Sequence, residues 1–171
     1  MGIYQSNDPA DSGDINKNVC EINLNNMITQ FEKLSNEERE LLYKAPVLVS
    51  VLASSSFNEV NKHQKADAIK LAHLKTFTAN PLLLPYYAEV EKTFKEQFET
   101  SVKKYFPFDD AKRNDLKKEI ERVNRIIGKL DKGYALVLHN SLEKYSRHVR
   151  KAAHSVFQDF IFPVPIPGLT D

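Results

Sequence analysis

Apolar side chains recur every three or four positions through most of this chain, with polar residues between them. From Tyr87 the apolar series runs Val90, Phe94, Phe98, Ser101 or Val102, and Tyr105. A longer one follows: Leu116, Ile120, Val123, Ile127, Leu130, Tyr134, Leu138, Leu142, Tyr145, Val149, Ala152 and Val156. This spacing lines up one face of an α-helix, so both stretches are predicted helical. An unbroken helix of about fifty residues would run about 75 Å at 1.5 Å per residue. That exceeds the diameter of a domain of this size. A break between Gly128 and Gly133 is therefore expected, making an antiparallel hairpin.

Upstream, the same period predicts a helix over Leu24 to Leu34, with Met27, Ile28, Phe31 and Leu34 on one face. Ser35 and Glu38 have the spacing of a capping box, in which each side chain satisfies the other residue's free N–H. They open a second helix through Tyr43. At Pro46 the chain either kinks or restarts a helix with the proline in its first turn. The run 47–53 is apolar on every side; its residue types suit a buried strand, but no second strand exists to pair with it. It is read as a central helix. Residues 54–60 read as a loop. Asn61 and Gln64 make a second capping pair, opening a helix to Phe77 with Ala66, Ile69, Ala72 and Phe77 inward. Asn80 and Pro81 stop one helix and start the next. Phe106-Pro107-Phe108 ends that one, and Asp109 or Asp110 caps its successor.

The fold class that follows is all-α: a single-domain bundle of about five to six helices with an extended proline-rich tail. Its divisions are a disordered polar leader over 1–20, the bundle over 21–162 and the tail over 163–171. Gly2 and Ser6 match the sparse N-myristoylation pattern. In the tail, Pro163, Pro165 and Pro167 alternate with Val164 and Ile166. Each proline fixes the backbone and removes a donor, so this segment is extended. It either packs its aliphatic residues along the bundle or serves as a polyproline-like ligand for an aromatic groove.

Composition changes the picture only through charge. Hydrophobic residues at 42% and charged ones at 27% are ordinary globular values. No apolar run approaches the roughly 18 to 20 residues of a membrane span. No secretory signal is visible, and Cys20 is the single cysteine, so a cytoplasmic location is expected. The net charge of +1 is unevenly spread. Residues 111–157 hold twelve Lys and Arg against five Asp and Glu, whereas residues 1–110 hold twelve against sixteen. The asymmetry marks an anionic partner, or helices of opposite charge lying side by side. Lys144, Arg147, His148 and Lys151 share a helical face, with Arg150 beside them and His154 beyond. This is the candidate surface for an acidic or phosphate-bearing partner. Balanced overall charge and the lack of interleaved exposed aromatics argue against nucleic acid.

No catalytic motif emerges. Among His63, His73, His139, His148 and His154, no two stand the roughly three or four residues apart that would let two ligands share a helical face. Glu-x-x-His and His-Glu-x-x-His are absent, so no metal is expected. The five glycines form no phosphate loop, and no cofactor is expected. Tyr86, Tyr87 and Phe94 could line a small-molecule pocket between helices, although aromatics at this spacing more often form core.

One local pattern adds to this reading. Leu52-Ala53, a short loop ending Ser56-Phe57-Asn58-Glu59-Val60, and the helix opened at Asn61 resemble the tellurite-resistance TerB-like family. Its members are small helical bundles with an acidic loop between an apolar helix and a capped one. Asn58 can adopt the conformation the family's glycine supplies, while Phe57 stands in place of an acid. The resemblance implies a helical bundle and a stress- or metal-associated role centred on Glu59. The residues by themselves favour a non-enzymatic protein that binds a protein or anionic partner through the basic helical face, the tail, or both.

Overall fold

A computed structural model describes residues 12–54, 70, 80–152 and 168. Among the described residues there are six α-helices and no strand: α1 Ser12–Glu32, α2 Asn36–Tyr43, α3 Ala45–Ala53, α4 Leu84–Tyr105, α5 Asp110–Ile127 and α6 Lys132–Ala152. A single 3-10 turn, Pro81–Leu83, leads into α4.

The centre is α3. Eight of its nine residues are buried, Leu52 being the partial exception. It packs chiefly against α4 and α6 and less extensively against α5. A helix that is apolar all round must be enclosed, which is why the strand-like composition of 47–53 resolves as helix. Its serine and the one that caps its end bury no unmet donor: Ser50 Oγ donates to the Pro46 carbonyl at 2.9 Å and Ser54 Oγ to that of Ser50 at 2.9 Å. Ser50 Oγ also lies 3.0 Å from the Tyr145 hydroxyl, joining α3 to α6.

The predicted punctuation forms as expected. The Ser35 hydroxyl accepts from the Glu38 N–H at 3.2 Å, and the Glu38 carboxylate accepts from the Ser35 N–H at 3.1 Å. Pro46 lies in the first turn of α3. Asn80 Oδ1 accepts from the Leu82 N–H at 3.0 Å, and Asp109 Oδ1 from that of Lys112 at 2.7 Å.

Three expectations need correction. First, α1 begins at Ser12, so 12–20, assigned by composition to a disordered leader, have helical backbone. Extending an existing helix costs far less than nucleating one, so polar turns can follow the packed ones. Second, Ile28 does not join Met27, Phe31 and Leu34 in the core; it is 44% exposed, and Leu24 is 42% exposed. The apolar arc of α1 is wider than the surface it packs on. Third, α5 and α6 meet each other sparsely. Each turns its stripe chiefly toward other helices, α6 toward α3, and α5 toward α2 and α3, so the break does not produce a closely paired hairpin.

The break itself lies where expected, but glycine conformation does not make it. Gly128 has φ −63°, and among the described residues only Gly168 has positive φ. Two short-range bonds, Lys129 N–H to Ile126 O at 3.0 Å and Leu130 N–H to Ile127 O at 3.1 Å, tighten the last turn. Gln30 of α1 then takes over. Its Oε1 accepts from the Asp131 N–H at 2.9 Å, and its Nε2 donates to the Asp131 carboxylate at 2.5 Å. Leu130 is buried within the turn, so the apolar period continues across an interrupted backbone.

The loop at 55–60, the helix expected over 61–77 (Lys70 aside), and the tail at 163–167 lie outside the described residues.

Candidate functional sites

Two surfaces carry groups not consumed by packing. The first is the predicted basic face of α6. Leu138, Leu142, Tyr145 and Val149 form its buried stripe, while Lys144, Arg147 and His148 are exposed together. Arg147 pairs with Glu143 one turn earlier at 2.5 Å, and His148 Nδ1 lies 2.8 Å from the Lys144 carbonyl. Lys144 makes no ion pair among the described residues. Arg150 and Lys151 continue the backbone of α6, and His154 lies outside the described residues.

Other basic side chains are engaged across helix boundaries. Lys129 pairs with Glu38 of α2, and Lys33 pairs with Asp131 at 2.6 Å. Bonds from Lys129 and the Ser35 N–H hold the Glu38 carboxyl below its ordinary range. Bonds from Gln30 and Lys33 do the same for Asp131. Packing of α5 on the acidic α2 thus uses part of the charge asymmetry internally. Among the described residues, Arg147 pairs within α6, with Glu143, and not with an acid of another helix.

The second surface was not foreseen. An open groove of about 780 Å3 lies between α2, α4 and α5. Along α4, Thr93, Gln97 and Ser101 succeed one another at four-residue spacing beside the aromatic stripe of Phe94 and Phe98. Ser101 is only 2% exposed, and its Oγ has no hydrogen-bond partner. Gln97 Nε2 donates to Thr93 Oγ1 at 3.1 Å, leaving its buried Oε1 unpartnered. Glu119 of α5 receives Lys104 at 2.5 Å and Lys44 at 3.4 Å. Partial burial pushes the Glu119 carboxyl up, but the Lys104 bond and the Lys44 charge outweigh it and hold it below its ordinary value. A periodic reading counts Ser101 as part of the core stripe; the clue to the groove was the polar row Thr93, Gln97, Ser101 alongside.

The aromatic residues read as a possible pocket instead form core. Tyr86, Tyr87 and Phe94 are buried; the Tyr86 hydroxyl donates to the Leu42 carbonyl at 2.8 Å, and the Tyr87 hydroxyl lies 2.8 Å from Ser141 Oγ. Burial drives both phenols well above their ordinary range, so they stay neutral.

Among the described residues, no group of three or more His, Cys, Asp or Glu is placed to hold a metal ion. No described helix is long and apolar enough to cross a membrane. No family model, curated protein or solved structure matches this chain.

Proposed function

We propose that this chain is a non-enzymatic helical binding protein whose α6 presents a basic face to an acidic protein segment. One observation supports the reading most: Lys144, Arg147 and His148 project together from the side of α6 opposite its buried stripe, while Lys129, Lys33 and Lys104 are engaged across helix boundaries. Exposed charges that contribute little to folding remain free to steer and orient a partner of opposite sign. Arg147 is held by an intrahelical pair worth little in solvent, so an incoming carboxylate can exchange for Glu143 at small cost.

The test is a titration of a fluorescently labelled polyglutamate peptide with the full chain, read by anisotropy. The expected outcome is saturable binding that weakens as salt rises. The double change Lys144→Glu with Arg147→Glu lowers affinity by about tenfold or more, equivalent to about 1.4 kcal/mol. Lys118→Glu, on the exposed side of α5, leaves it nearly unchanged. Equal losses from both variants would mean only diffuse charge attraction.

A further inference from the structure

The groove between α2, α4 and α5 is lined by acceptors more than by donors. Glu37 and Glu40 stand on the α2 side and Glu96 on the α4 side, and among the described residues none of the three is in an ion pair. Of the bases lining it, Lys92 is engaged by Glu89 at 2.6 Å and Lys44 by Glu119 at 3.4 Å. Arg122 makes no ion pair among the described residues, leaving three unpaired carboxylates against one unpaired base. Two buried polar atoms, Gln97 Oε1 and Ser101 Oγ, have no hydrogen-bond partner among the described residues. An unmet buried acceptor is costly, and a ligand that supplies an N–H removes the cost.

The spacing narrows the ligand. Thr93 to Ser101 spans roughly 12 Å of helix at 1.5 Å per residue, and the carboxylates lie on both sides of the groove instead of at one point. A single small cation would not engage both walls. Tyr43 and Leu41 add apolar surface suited to methylene groups, and the Tyr43 ring is suited to an ammonium group. The volume also falls within the usual range of small-molecule sites.

We infer that this groove binds a linear aliphatic polyamine, its ammonium groups shared between the Glu37, Glu40 and Glu96 carboxylates, with the buried Gln97 and Ser101 side chains reorienting to accept its N–H groups. This site is separate from the basic face of α6, and either can fail alone.

Calorimetric titration of the full chain with spermidine tests it. The expected result is one saturable site, with thermal unfolding shifted upward by the ligand. Glu40→Gln with Glu96→Gln weakens affinity by about tenfold or more, and Ser101→Ala weakens it several-fold without lowering stability, since it removes an unmet buried hydroxyl. Glu121→Gln, an exposed carboxylate of α5 away from the groove, leaves affinity unchanged. Absence of a saturable heat overturns the inference, as does an equal loss with Glu121→Gln. Binding of a trilysine peptide without binding of spermidine also overturns it, because the groove would then be reading a protein segment.

Discussion

Asn124 is the residue whose placement asks most for an explanation. It is 8% exposed on α5, among Ile120, Val123 and Ile127, and neither its amide nitrogen nor its oxygen has a hydrogen-bond partner. A buried amide with nothing to bond loses its hydration without compensation. Replacement by an apolar side chain of similar size removes that loss. Asn124→Leu is therefore expected to raise stability by about 1 to 2 kcal/mol, measured as an upward shift of the urea midpoint at constant m-value. A loss of stability would place a polar partner beside the amide. Ser50, Tyr86 and Tyr87 behave differently, each with a partner on another helix. These bonds tie specific helix pairs together, as α6 to α3 through Tyr145 and Ser50.

At the scale of elements, the period-based reading succeeds where one face of a helix meets one neighbour. Phe94, Phe98, Leu116, Ile120, Leu138 and Leu142 all face the core as their spacing implies. The strongest test is Phe98, fully buried on α4. Phe98→Ala should cost about 3 to 5 kcal/mol in urea unfolding, as large-to-small core changes do; a loss below about 1 kcal/mol would mean that this face of α4 is not packed. Caps were legible too, because Ser35, Asn80 and Asp109 act through bonds only two or three residues away. What sequence could not supply was contact between distant parts. Ile28 has the right spacing for burial but no surface above it, and the α5–α6 break is completed by Gln30, about a hundred positions earlier. The groove was hidden for the same reason: its walls come from three helices, and only their packing brings Gln97 and Ser101 of α4 into one groove with Glu37 and Glu40 of α2 and Glu119 of α5.

For the whole molecule, the arrangement is a short apolar helix enclosed by longer amphipathic ones. Charge follows from that arrangement. Where helices meet, Lys44, Lys104 and Glu119 neutralise one another, as do Lys129 and Glu38. Outside these contacts, among the described residues, lie Lys144, Arg147 and His148 of α6 and the groove between α2, α4 and α5, for which an anionic and a cationic partner are proposed. Both depend on α3 being the enclosed centre, since it is α3 that orients α4 and α6. Native-state hydrogen exchange measures this directly. Amides of Val47 through Ala53 should exchange slowest in the protein, through global unfolding only, while those of Lys17 to Ile22 exchange through local fraying. Exchange of the α3 amides as fast as those first turns of α1 would contradict the account.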